Sequence, residues 1–211
     1  MVRVKICGLT QSVDVAAACA AGADAVGFVF YAPSPRAVSP GQAKGLLKAV
    51  APLTLSVGLF VDPTEAAVKE TLRDAPVQLL QFHGDEPEAF CRRWDRPYIK
   101  ALRMAPELDV VAAMAAYPSA AGFLLDAYEA GVPGGTGTVF SWDRVPAKAP
   151  APIILAGGLT PDNVSCAIAT ARPYGVDVSG GVERAKGIKD EGKVRAFIRT
   201  AKTDRSTHDA S

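Results

Sequence analysis

Short apolar runs recur along this chain about every 20–25 residues, and alanine-rich amphipathic stretches fill the intervals between them. The runs fall at about 2–6, 24–29, 53–60, 77–82, 98–102, 121–125, 153–155 and 175–178. They are rich in Val, Ile, Leu and Phe. Most are continuously apolar rather than alternating, as strands covered on both faces should be. The intervals read as helices at about 11–21, 40–50, 63–73, 86–93, 107–116, 161–170 and 190–202. Eight such alternations predict an α/β fold, a single-domain (β/α)8 TIM barrel over residues 1–202, followed by a polar, fraying tail at 203–211. An open doubly wound sheet shares the alternation. Two observations favour the barrel. The period stays regular to the end, and reactive side chains stand at the ends of strands far apart in sequence, not at one switch point.

Local signals agree with this division. Ser39 before Pro40, Asp62 before Pro63 and Thr160 before Pro161 each read as a helix cap followed by a first-turn proline. Glu65 places a carboxylate in a first turn, where the helix dipole favours it.

Composition narrows the class of function. Lys and Arg number 23 against 22 Asp and Glu, so no global field draws nucleic acid or an anionic membrane. No apolar run reaches the roughly 18 residues of a membrane span. The start of the chain lacks the charged, then apolar, then small pattern of a signal peptide. Cys7, Cys19, Cys91 and Cys166 show no paired spacing, which points to a reduced, cytoplasmic compartment.

The chemistry lies at the strand ends. Cys7 closes VRVKIC (2–7); as thiolate it is a base or nucleophile, and otherwise a small buried hydrophobe. Asp126 closes GFLLD (122–126) and leads into the long glycine-rich stretch 127–141; it serves as a general acid if burial raises its pKa, or as a cap. Gly157 and Gly158 end IILAGG (153–158), and Ser179, Gly180 and Gly181 follow the last strand, VDV, with Asp177 in it. Loops after strands 7 and 8 of such barrels bind phosphate through backbone N–H groups. Arg36, in the proline-stiffened loop 31–39, carries a fork suited to a carboxylate or a place at the surface. His83, in QFHG (81–84), either tunes the site or satisfies a loop carbonyl. It has no second His at metal spacing, and a zinc site from Cys7, His83 and Cys91 is not supported.

In order and spacing, these motifs resemble the phosphoribosylanthranilate isomerase family of tryptophan biosynthesis. The resemblance covers about residues 3–200: KICGLT (5–10), GFVFYAPSPR (27–36), QFHGD (81–85), LD (125–126), GGTG (134–137), FSW (140–142), LAGGLTPDNV (155–164) and VDVSGGVE (176–183). It implies an Amadori rearrangement of an aminoaldose to an aminoketose, with Cys7 as general base and Asp126 as general acid. It also implies that Arg36 holds the anthranilate carboxylate, with His83 and Asp177 among the substrate-binding residues. The glycine loops around Gly157, Gly158, Ser179, Gly180 and Gly181 would cradle the phosphate. Neither metal nor organic cofactor is implied. The expected partner is a small phosphorylated substrate, with no nucleic acid or membrane, and the expected state is a monomer.

Three positions depart from the family pattern. Gly180 stands where a second serine is common, Thr138 where lysine often follows GGTG, and Ser141 where an acidic residue often precedes the tryptophan. Two other readings stay open on sequence. One is a related phosphosugar barrel such as indole-glycerol-phosphate synthase, whose catalytic lysine would be sought at an early strand end; Lys5 lies on strand 1, but Cys7 is better placed. The other is a barrel that binds its ligand without turnover.

Overall fold

The computed structural model describes residues 1–127 and 140–203. Eight parallel strands close into one barrel in chain order. They are β1 (Arg3–Ile6), β2 (Ala25–Val29), β3 (Leu55–Phe60), β4 (Leu79–Phe82), β5 (Tyr98–Arg103), β6 (Gly122–Asp126), β7 (Ile153–Leu155) and β8 (Gly175–Val178). β1 makes the closure: Lys5 registers with Ala25 of β2 on one side and with Asp177 of β8 on the other. That double pairing rules out the open sheet.

Among the described residues, seven helices lie between or after the strands: α1 (Ser12–Ala20), α2 (Pro40–Leu47), α3 (Glu65–Asp74), α4 (Glu88–Cys91), α5 (Val110–Ala115), α6 (Val164–Ala171) and α7 (Glu191–Thr203). Thr203 therefore ends α7 rather than opening the tail. A 3₁₀ turn at Trp142–Arg144 precedes β7. Past β8 come a 3₁₀ turn at Gly180–Val182 and a small antiparallel ribbon of β9 (Glu183–Ala185) and β10 (Ile188–Lys189). The stretch GGTG (134–137), with Thr138, and the tail from 204 lie outside the described residues.

The continuous apolar runs follow from burial on both strand faces. Successive side chains alternate between the barrel interior and the helix layer. On β4, Leu80 and Phe82 pack outward with Ile6, Phe28 and Phe197. Leu79 points inward to join Val57, Ile99, Ala101, Leu124 and Ala156 in a plug that fills the barrel. The barrel is thus a packed core, and the residues singled out from the sequence gather at the C-terminal mouth above that plug.

Of the three expected caps, one forms as read. Ser39 accepts from Gln42 N at 3.2 Å while the Gln42 side chain accepts from Ser39 N at 2.8 Å, a reciprocal capping box. Asp62 does not cap α3; Thr64 does, accepting from Ala67 N. Asp62 instead turns the chain with a positive φ of 44° and accepts from Asp85 N at 2.7 Å. An Asp tolerates that conformation better than most residues. Likewise α6 starts after Asn163, not Thr160. The segment between is a turn in which Asn163 accepts from Thr160 N and donates to Gly158 O at 2.9 Å. In both places a residue that looked like a helix start shapes the mouth of the barrel instead. Glu65 does occupy the first turn of α3.

Candidate active site

A cavity of about 380 Å³ opens at the C-terminal mouth. All ten residues singled out from the sequence line it, from Cys7 after β1 to Gly181 after β8. Of the four cysteines, Cys7 alone is among its lining residues. Cys19 lies on α1, Cys166 is exposed on α6, and Cys91 is buried at the end of α4, where burial pushes its thiol up to about 12.

Two groups of side chains face each other across the mouth. On one side, Asp126 ends β6 and is only 5% exposed. Its Oδ1 accepts from Ala127 N at 2.9 Å, and its Oδ2 lies 3.1 Å from His83 Nε2. His83 follows β4, and its Nδ1 lies 3.1 Å from the Gln81 amide nitrogen. That nitrogen is a donor, so Nδ1 accepts and Nε2–H donates to Asp126. Gln81 is inward-facing on β4 and is wholly buried. It orients His83, and sequence reasoning missed it because a glutamine inside QFHG carries no chemical signature of its own.

On the other side is Cys7, whose backbone N–H donates to Val178 O at 2.9 Å. Burial pushes its thiol up, against the pull of Lys5. Lys5 Nζ donates to Asp177 Oδ2 at 3.0 Å, and both side chains are buried. Gln81 Oε1 and Asp177 Oδ1 are buried acceptors without a partner among the described residues, and both residues line the cavity. Orphaned buried acceptors at a cavity wall call for donors from a ligand.

The glycine loops sit where the fold requires glycine. Gly157 has φ 80°, and a Cβ there would lie 2.5 Å from Ala127 N and 3.0 Å from Asp126 Oδ1. A side chain on Gly181 would run into the Leu159 carbonyl. The loops after β7 and β8 are therefore in close backbone contact and form one wall.

Arg36 reaches that wall, but its fork is not free. Nε donates to Glu183 Oε1 at 2.7 Å and Nη2 to Oε2 at 2.8 Å. Glu183 also accepts from Lys189 Nζ at 2.9 Å, and Lys189 Nζ in turn donates to Ser179 O at 3.1 Å. Burial alone would raise the Glu183 carboxyl, but Arg36 and Lys189 hold it below its ordinary value. This bidentate Arg–carboxylate pair fixes the guanidinium in orientation and leaves its Nη1 edge for another acceptor. Glu183 and Lys189 were not legible as site residues, since the pairing spans 147 residues of sequence.

The comparisons with known proteins agree with this geometry. The family model for N-(5′-phosphoribosyl)anthranilate (PRA) isomerase matches residues 4–200. The chain is 59% identical over 199 residues to N-(5′-phosphoribosyl)anthranilate isomerase of Cellvibrio japonicus, covering 94% of this chain and 93% of that one. A crystal structure of phosphoribosyl anthranilate isomerase in complex with reduced 1-(o-carboxyphenylamino)-1-deoxyribulose 5-phosphate superposes with a TM-score of 0.84. It is 36% identical and covers 96% of this chain and 99% of that one. Monomers generated from the dimeric Thermotoga maritima enzyme give the same TM-score, 0.84, at 35% identity, with 96% and 99% covered. A barrel closed in this order, a thiol and a carboxylic acid at the ends of β1 and β6, and relatives this close leave no place for the indole-glycerol-phosphate synthase reading: the chain belongs to the N-(5′-phosphoribosyl)anthranilate isomerase family.

Proposed function

We propose that the family's reaction, conversion of N-(5-phosphoribosyl)anthranilate to 1-(2-carboxyphenylamino)-1-deoxyribulose 5-phosphate, runs here with Asp126 as general acid and Cys7 as general base. The observation that carries this reading is their placement: both are buried, both line one cavity, and they stand at the ends of β6 and β1 on different sides of the mouth. Asp126 protonates the ribose ring oxygen, the C1′–O bond breaks, and the nitrogen lone pair closes a protonated imine. His83 Nε2–H and Ala127 N–H then steady the carboxylate left behind, an interaction stronger in the charge-separated state than before it. Cys7 thiolate removes the C2′ proton; the released pair forms the C1′–C2′ double bond of an enolamine, which tautomerises to the ketone.

Binding follows the lining. The Gly157–Gly158 loop and the Ser179–Gly181 turn take the phosphate through backbone N–H groups. The free edge of Arg36 takes the anthranilate carboxylate. The unpartnered Asp177 Oδ1 and Gln81 Oε1 accept from ribose hydroxyls. The catalytic unit on this reading is a monomer; light scattering at assay concentration tests it. The four free thiols fit a reducing cytoplasm.

The test is the loss of anthranilate-type fluorescence when purified protein meets freshly formed phosphoribosylanthranilate. Rapid decay unaffected by EDTA is expected. Decay no faster than the spontaneous background, from folded protein, overturns the reading and favours a barrel that only binds.

A further inference from the structure

Lys5 lies on β1 and Cys7 just past its end, two residues further on and so on the same face of the extended chain. Lys5 is 5% exposed, Cys7 4% and Asp177 8%. The Lys5 ammonium meets Asp177 at a single point, Oδ2 at 3.0 Å, across the β1–β8 register. It also flanks the sulfur: a Cβ on Gly27 would sit 2.8 Å from Cys7 Sγ and 3.2 Å from Lys5 Nζ. Only a glycine at 27 leaves room for thiol and ammonium together. A charged lysine inside a barrel is costly, and one carboxylate touching it at one oxygen is a thin compensation.

We propose that Lys5 is a positioning residue for the base: its ammonium, tethered by Asp177 beneath Cys7, stabilises the Cys7 thiolate and sets the pH at which the thiolate forms. This deepens the assignment of Cys7 as base and rests on it. The thiol releases its proton to solvent before turnover, the thiolate later takes the C2′ proton, and Lys5 keeps all three of its protons throughout. Burial pulls the Lys5 ammonium down, but Asp177 and Cys7 hold it up to about 12, so its charge persists through neutral pH.

The other charges around the sulfur do not substitute for it. Lys189 of β10 lowers the thiol more weakly than Lys5 does and is spent on Glu183 and Ser179. Arg36, from the loop after β2, is held on two donors by Glu183. Asp177, from β8, opposes Lys5 and pushes the thiol up. His83, after β4, and Asp126, at the end of β6, hold each other.

These opposed signs supply the experiment. The pH dependence of Cys7 alkylation by iodoacetamide, read by peptide mass spectrometry to separate it from Cys19, Cys91 and Cys166, reports thiolate formation whether or not Cys7 is the base. Lys5→Met should move the alkylation midpoint up by about one pH unit or more, so that alkylation near neutral pH slows about tenfold. Asp177→Asn should move it down. The double variant, which buries no unpaired charge, should still lie above the wild type. The rising limb of kcat against pH should follow the same three displacements.

An unchanged midpoint in folded Lys5→Met or in the double variant overturns the proposal and leaves Lys5 as packing. Should both fail to fold, Lys5→Gln, which removes the charge but keeps a donor for Asp177, decides: an upward shift supports the proposal, and no shift or a downward one overturns it. Midpoints that move as expected while Cys7→Ala keeps its kcat would sink the base assignment and spare the electrostatic one.

Discussion

The two sides of the mouth, which we propose supply the acid and the base, are built on different principles. Asp126 sits at the end of a chain of directed hydrogen bonds, from Gln81 to His83 to its carboxyl group. Cys7 sits above an ion pair, Lys5 with Asp177. The difference follows from what each group must become. An acid that has given up its proton needs directed donors in place, and hydrogen bonds are directional. A buried thiol that must lose its proton needs a nearby positive charge, and a charge acts without fine alignment. The acid side is therefore sensitive to geometry, and the base side to charge.

The bluntest way to break this comparison is to remove the two reacting groups. Asp126→Asn and Cys7→Ala should each lower kcat at least about a hundredfold, or about 2.7 kcal/mol, with the fold intact by circular dichroism. Near-normal kcat in either variant removes that residue from the mechanism. A smaller effect should come from His83→Ala, which strips Asp126 Oδ2 of its donor. A hydrogen bond to a charged group is worth about 1.5–3 kcal/mol, so kcat should fall about ten- to a hundredfold, with KM little changed. Steady-state kinetics of the double variant with Asp126→Asn should show little further loss, because His83 has nothing left to steady. Full additivity would show that His83 acts on the substrate directly.

The base side makes its prediction in pH. On the proposed reading the thiolate is the active form, and burial pushes the Cys7 thiol up. A raised thiol keeps the group protonated to higher pH, so kcat should climb with pH through the neutral range and level off only above it. A flat profile from pH 6 to 9, with substrate decomposition subtracted, would mean that the thiol is already ionised or that the chemical step is hidden behind product release.

The sequence carried much of this, and the places where it did not have a common cause. Strand ends announce themselves, because an apolar run stops at a polar residue: Cys7, His83 and Asp126 were visible in that way. The glycine pairs were visible because close backbone approach excludes side chains, as the Gly157 contact with Ala127 shows. What stayed hidden was each second partner. Lys5 registers with Asp177 only because β1 closes the barrel against β8, 172 residues away. Glu183 reaches Arg36 only because the turn after β8 folds over the mouth. Asp62 and Thr160 misled because a cap and a mouth-forming turn use the same side-chain oxygens.

The wall that we propose holds the phosphate separates glycines that the fold requires from one that it merely accommodates. Gly157→Ala should be severe: φ 80° disfavours any side chain, and the Cβ would press on Ala127 N and Asp126 Oδ1, so kcat and stability should fall together. Gly180 differs. Its backbone is not left-handed, and the contact a Cβ would make is 3.2 Å from Arg36 Nη2, the far end of a long side chain. Gly180→Ser, which puts the residue common at this place in the family, adds a hydroxyl to the proposed phosphate turn and stiffens it, while it crowds Arg36 by a few tenths of an ångström. The gain and the cost are both of the order of one hydrogen bond, about 1 kcal/mol, and oppose each other. The expected outcome is a KM within about threefold of the wild type and an unchanged kcat. A rise of tenfold or more would show that Arg36 cannot yield, and that Glu183 locks the carboxylate end of the site as rigidly as the backbone locks Gly157.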